Sequence, residues 1–277
     1  MVESMNTFIH LCQPDTSKSC GACCGLYNYI KNDRISLESR LRERTHLFNA
    51  MYRGEESIED YSRLINAKEP KEKIYEVVYD CEFLGFVNEE VQKVGCLLHP
   101  SAIGGIDYRS YSFYGEDLCA GHFCPSYQYL AREEKELVIS MIDDWYLYGL
   151  IITDIDLVKS FFKEISDFLG EMVQPDIVRN SQRLKEIGKA FFNLKVTWPF
   201  KDSDKKRFGK YFFEGWEYRL DKIDYEAIGT QPSKHNDIFL SFSSHFSCVN
   251  ELREAEKWVE KSIIEFCDEY SYVRKYV

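Results

Sequence analysis

No run of about 18 apolar residues, the length a membrane-spanning helix requires, occurs in this chain. Its start is equally unsuited to export. Glu3 stands near the beginning, and the apolar stretch from Phe8 to Cys12 is too short for the hydrophobic segment of a signal peptide. Excess basic charge is also missing. With 35 Lys and Arg against 46 Asp and Glu, the formal net charge is -11. That balance argues against general binding to nucleic acid or anionic membranes, which need a basic face to release counterions from phosphates. Lys205-Lys206-Arg207 is a local exception and reads as a solvated face. Familiar catalytic motifs are absent too. Gly104-Gly105 lacks the spacing of a dinucleotide or P-loop motif and reads as a turn. There is no Gly-x-Ser-x-Gly elbow and no His-Glu-x-x-His helix. Ser243-Ser244-His245 and His235 have no recognisable third partner for hydrolysis. No internal repeat or low-complexity linker interrupts the chain. These absences predict a cytoplasmic protein with no nucleic acid or membrane partner, leaving a protein or small-molecule partner open.

What is present is a sizeable core and many thiols. At 277 residues and 44% apolar composition, with 19 Phe, 19 Tyr and 4 Trp, the chain can bury a core without staples. It nevertheless carries ten cysteines. In a reducing compartment these are better explained by metal binding or by burial than by a disulfide framework.

The cysteines are unevenly spread. Cys20-Gly21-Ala22-Cys23-Cys24-Gly25 opens the set, and a second group holds Cys81, Cys96, Cys119 and Cys124 together with His99 and His122. A helix beginning at the first group would place positions 20, 23 and 24 on one face. Thiolates bind zinc, copper(I) or iron-sulfur clusters, and a structural zinc site commonly pairs a Cys-x-x-Cys half-site with two ligands from a distant segment. Cys20-x-x-Cys23, Cys96-x-x-His99 and Cys119-x-x-His122-x-Cys124 are three such half-sites. The competing reading of each cysteine is a small buried hydrophobe, and it is the reading adopted for Cys12, Cys248 and Cys267. The ligand set predicted by spacing is therefore Cys20, Cys23, Cys24, Cys81, Cys96, Cys119 and Cys124, with His122 the better histidine candidate. His99, set among apolar residues before Pro100, reads equally as a structural histidine. Seven thiols exceed one tetrahedral site and fall one short of two, so two metals would require a histidine, a bridging thiolate or an idle cysteine.

Around these motifs the pattern is mainly helical. A short helix is expected from Cys23 to Ile30. Ser36 is a candidate cap for a helix with Leu37, Leu41, Phe48 and Tyr52 on one stripe, ended by Gly54, and Ile58 to Ile65 fits another. Residues 74–84 suit a strand or a short buried helix, and 94–100 form a second short apolar run. Ser101 to Leu118 reads as an irregular excursion. After Pro125 one helical face carries Leu130, Leu137, Met141, Trp145 and Tyr148. Another, behind Asp154 or Asp156 as cap, carries Leu157, Phe161, Ile165, Phe168 and Met172. Helices are also expected over 176–192, roughly 204–227, and Val249 to Tyr276. The expected fold is mostly α, α+β at most. A cysteine-rich, irregular or small-β metal-binding module over residues 1–130 packs on a helical body over 131–277, in one continuous compact unit.

The order Cys20-Gly21-Ala22-Cys23-Cys24, Cys81-Glu82-Phe83-Leu84, Gly95-Cys96-Leu97-Leu98-His99-Pro100, Cys119 and Cys124-Pro125 resembles the zinc- or iron-chelating family known by its CxxCxxCC signature. The likeness spans about residues 12 to 130. Ser17 stands where that family has its first cysteine, the Arg-Pro of its later motif is missing, and the segment before Cys119 resembles an insertion. The resemblance implies a cysteine-bound zinc or iron-sulfur cluster and a distant similarity to flagellin lysine methylases. Three functions follow as expectations. The first is a metal-binding protein whose metal holds the front module together. The second is an enzyme, either an iron-sulfur redox protein or a protein lysine N-methylase-like one. The third is a helical interaction scaffold with inert cysteines.

Overall fold

The computed structural model describes residues 9–54, 57–69, 72–88, 90, 92–204, 213–214, 217–218 and 221–276. Helix predominates among them, as expected. The first long helix, α1 (Arg34–Arg53), is started by Asp33, whose carboxylate accepts the Ser36 amide at 3.0 Å and the Ser36 hydroxyl at 2.6 Å. Asp33, not Ser36, is thus the cap, because its side chain reaches the unsatisfied amides of the first turn. Leu37, Leu41 and Phe48 form the buried stripe, whereas Tyr52 is exposed. Helix α2 (Ile58–Lys68) opens with a reciprocal capping box between Ser57 and Asp60.

Between these helices and the body the chain is held in short pieces. Instead of a helix from Cys23 to Ile30 there is one 3-10 turn, Ala22–Cys24, ended by Gly25 in the left-handed region at φ +83°. A Cβ on Gly25 would lie 2.4 Å from the Tyr79 carbonyl oxygen, so this glycine lets the two segments touch. Strands β1 (Leu84–Phe86) and β2 (Val94–Cys96) pair antiparallel, with Leu84 opposite Cys96 and Phe86 opposite Val94. Two short helices follow, α3 (Gly115–Gly121) and α4 (Ser126–Tyr129).

The body contains α5 (Arg132–Met141), α6 (Trp145–Ile152), α7 (Ile155–Leu169), α8 (Pro175–Arg179) and α9 (Gln182–Thr197), the small antiparallel pair β3 (Phe213–Glu214) and β4 (Glu217–Tyr218), then α10 (Asn236–Ser241) and α11 (Val249–Arg274). Several expectations need correction here. The single face running from Leu130 to Tyr148 is split, because Asp144 caps a new helix by accepting the Leu147 amide at 3.0 Å. Phe168, inside α7, is exposed, and so is Met172, which lies beyond the end of the helix that the left-handed Gly170 sets at Leu169. The helix expected over 204–227 falls partly outside the described residues. Where it is described, the chain pairs as β3 and β4 and then runs through turns. Gly209 and Gly215 in that stretch each cost a helix interior about 1 kcal/mol. Asp154 does cap α7, accepting the Leu157 amide at 3.2 Å.

Helix α6 joins the halves. All eight of its residues are buried. Trp145, Tyr146 and Leu150 pack with Leu26, Tyr27, Leu37 and Leu84 in front, while Leu147, Tyr148, Ile151 and Ile152 belong to the core of the body. The Tyr27 hydroxyl donates to the Tyr146 carbonyl at 2.9 Å, and the Tyr148 hydroxyl donates to the Leu11 carbonyl at 2.8 Å. A helix hydrophobic on every side is one that must be surrounded. No helix among the described residues is long and apolar enough to cross a membrane.

Candidate metal centre

The cysteine segments are brought together by backbone contacts. The Cys20 amide donates to the Cys12 carbonyl at 3.0 Å, closing the loop Gln13–Ser19, and the Cys81 amide donates to the Cys24 carbonyl at 2.9 Å. Gly21 lies flat on the β1–β2 hairpin: a Cβ there would stand 3.0 Å from Leu84 Cδ2 and 3.1 Å from Val94 Cγ1. The hairpin in turn carries Cys96 at its end. Arg44, buried at 3% exposure, fixes the same region. Its guanidinium donates to the Cys81 carbonyl at 2.7 Å and the Tyr29 hydroxyl at 2.9 Å, and is neutralised by Glu69 at 2.6 Å. From the other side, the Tyr127 hydroxyl accepts the Cys12 amide at 3.3 Å and donates to Cys12 Sγ at 3.7 Å, across 115 residues of sequence. The Tyr127 amide bonds back to the Cys124 carbonyl at 3.0 Å, and Cys119 Sγ is 3.1 Å from Ser112 Oγ.

Eight cysteines therefore share one neighbourhood: Cys12, Cys20, Cys23, Cys24, Cys81, Cys96, Cys119 and Cys124. Seven are those singled out by spacing. The eighth, Cys12, which the spacing reads as a small buried hydrophobe, is part-buried and is carried beside the others by the loop closed at its carbonyl and the bonds from Tyr127. His122 is exposed at the end of α3. His99 is exposed as well, with its Nδ1 engaged by the Ser101 amide at 3.1 Å and the Ser101 hydroxyl at 2.7 Å. Cys248 and Cys267 lie apart. Cys248 is exposed before α11, and Cys267 is buried on it with Sγ 3.9 Å from the Ile165 carbonyl.

Burial dominates the electrostatics. It raises the Cys24 thiol to about 12 and the Cys96 thiol to about 11, and it raises Cys12, Cys20 and Cys81 as well. Each thiolate also repels its neighbours. Cys12 acts on Cys20, Cys24 acts on Cys81, and Cys96 acts on Cys24. Cys124 is the exception. A hydrogen bond from the Cys23 thiol lowers it, while the same bond pushes Cys23 up.

Against this stands a recurring backbone device. Backbone amides two residues further along offset part of the rise at Cys20, Cys81 and Cys96, through Ala22, Phe83 and Leu98, and help to lower Cys124 through Ser126. Such donors favour the thiolate. Arg109, held by Asp107 at 2.5 Å, adds a positive charge that acts on Cys96. Among the described residues no three of His, Cys, Asp and Glu already converge as a set able to hold a metal ion. The thiols are gathered beside one another without meeting at one point. Sequence spacing had no way to find Cys12 or the amide donors, since both depend on how distant segments meet.

The other polar residues considered earlier do not form a hydrolytic site. Ser244 Oγ accepts the Trp198 indole at 2.8 Å, His245 is exposed, and His235 is buried with Nδ1 2.7 Å from Glu164. Comparisons with family models, with curated proteins and with solved structures find no match to this chain.

Proposed function

We propose that this chain is a metal-binding protein whose cysteine module holds zinc or an iron-sulfur cluster, and that the metal ties its front segments together. The observation that supports this most directly is that backbone bonds bring separate cysteine segments side by side, the Cys20 amide on the Cys12 carbonyl at 3.0 Å and the Cys81 amide on the Cys24 carbonyl at 2.9 Å. The donor set fits the group. Soft thiolates select zinc and iron-sulfur clusters, and a cation would turn the mutual repulsion of neighbouring thiolates into shared attraction.

The residues that would hold the metal are drawn from Cys20, Cys23, Cys24, Cys81, Cys96, Cys119 and Cys124, joined by Cys12. A bound cation supplies cross-linking: ligands unconnected in the unfolded chain are joined, so metal affinity becomes folding free energy. The resemblance to the CxxCxxCC family agrees with this reading and adds no activity to it.

The test is metal analysis by mass spectrometry with an ultraviolet-visible spectrum, on protein purified without oxygen. Zinc without colour identifies a structural site, and iron with sulfide and visible absorbance identifies a cluster. Finding neither, together with unchanged folding when Cys20, Cys23 and Cys24 are all replaced by Ser, would leave the scaffold with inert cysteines as the correct reading.

A further inference from the structure

One face of the front holds its rings out to solvent. Phe113 is 72% exposed and Leu118 57%, with Tyr111 and Tyr114 open beside them. The backbone under them is fixed. The buried Ser112 hydroxyl donates to the Arg109 carbonyl at 2.7 Å across the 3-10 turn Arg109–Tyr111, and the Tyr108 amide donates to the Leu98 carbonyl at 3.1 Å. Phe113 stacks on Tyr79 at 4.6 Å, and Tyr114 meets the two rings edge-on at 5.2 and 5.3 Å. Tyr79 is anchored in turn: its hydroxyl donates to Glu82 at 2.5 Å, and Glu82 also accepts the Ser62 hydroxyl at 2.6 Å. The fold thus builds a platform of rings and leaves its outer side uncovered.

Helix α3 continues this face. None of its seven residues is buried, and a Cβ added at Gly115 or Gly121 would meet nothing within 4 Å. Isolated helices are marginal in water below about 12–15 residues, so a helix this short gains from being covered. The charge on the face has one sign. Between Ile106 and Tyr129 stand three acids, Asp107, Glu116 and Asp117, against the single cation Arg109, which Asp107 holds at 2.5 Å. Glu116 and Asp117 are exposed in the first turn of α3 and make no ion pair among the described residues.

We propose that Phe113, Tyr114 and Leu118, with Glu116 and Asp117, dock a segment of another protein that carries lysine or arginine beside apolar side chains. Contiguous exposed apolar surface with a polar rim marks an interaction site. Ring faces attract cations, the two carboxylates pair with them at the rim, and rings already held in place need little ordering on binding. A second copy of this chain fits poorly, because each copy has a formal net charge of -11 and would bring acid against acid. An anionic membrane is repelled for the same reason. No thiol takes part in the docking, which stands apart from the metal reading.

The experiment is fluorescence anisotropy on the full chain with a labelled amphipathic helical peptide of leucine and lysine, and with its counterpart carrying glutamate in place of lysine. The lysine peptide is expected to bind and the glutamate peptide not to. Phe113→Ala should weaken binding about tenfold. Glu116→Gln together with Asp117→Gln should flatten its dependence on salt. Phe168→Ala, which removes an exposed ring from the body instead, should bind as the unaltered chain does. All these side chains are exposed, and circular dichroism checks that each variant is folded. Equal binding of the two peptides, an equal loss in Phe113→Ala and Phe168→Ala, or no binding by the unaltered chain would overturn the proposal. Self-association in sedimentation that Phe113→Ala abolishes would also overturn it, by assigning the face to a second copy.

Discussion

The front of the molecule and its helical body are built on different terms. The body buries Phe161, Phe191, Phe192, Phe239, Phe242 and Phe266 in one aromatic core, with Phe161 and Phe191 stacked 4.0 Å apart. A deep ion pair there is well satisfied: Lys195 donates to Asp154 at 2.5 Å and to the Ser241 carbonyl at 2.9 Å. The front spreads its apolar residues over two smaller clusters, and between residues 101 and 123 it leaves Phe113, Leu118 and Phe123 exposed. A region with long amphipathic helices can rely on apolar burial, at roughly 25 cal/mol per Å². A region of turns and three-residue strands has less to bury and gains more from cross-links.

The sharpest way to break this contrast is to remove metal. Chelation, or serine at Cys20, Cys23 and Cys24 together, should open the front while the body keeps its helices. Structural zinc is worth about 10–16 kcal/mol in small domains. Limited proteolysis should then cut between residues 101 and 123, with far-ultraviolet circular dichroism little changed. Equal loss of both regions would show that they fold as one unit through α6.

A body mutation should have the opposite signature. Phe161→Ala is expected to cost about 3–5 kcal/mol in denaturant unfolding while leaving metal content untouched. Metal loss in that variant would mean that the body holds the thiols in place.

A smaller effect comes from pH. In the metal-free chain, burial holds Cys24 at about 12 and Cys96 at about 11, above the ordinary thiol value of 9.0. The folded state thus favours the protonated form. Its contribution is fully present below pH 9.0 and is lost as pH rises through about 11 and about 12. Urea midpoints should fall over that window without metal and stay flat with it, because bound thiolates have already lost their protons. The smallest effect is at a cap in the front region. Ser57→Ala removes one side of the capping box of α2 and should cost about 1 kcal/mol, with no change in metal count.

Much of this architecture can be read locally. The stripe Leu37, Leu41 and Phe48, the cap at Asp154 and the long final helix all follow from side chains within a few turns of one another. The mostly helical class follows from the same periodicity. The pairing of Phe213–Glu214 with Glu217–Tyr218 is not legible in the sequence, because two-residue strands leave no period to detect. The complete burial of α6 is not legible in the sequence, because Trp-Tyr-Leu-Tyr-Gly-Leu-Ile-Ile gives no polar face to count from.

By itself the sequence determined where the thiols lie, since the crowding of cysteines before residue 125 is a linear fact. Tertiary structure alone decided which thiols become neighbours. Cys12 is reached by Tyr127 across 115 residues, and Cys24 meets Cys81 through a backbone bond that Gly25 permits. Spacing describes only what lies along the chain, whereas ligand sets are chosen by closures between segments, which depend on the packing of everything in between.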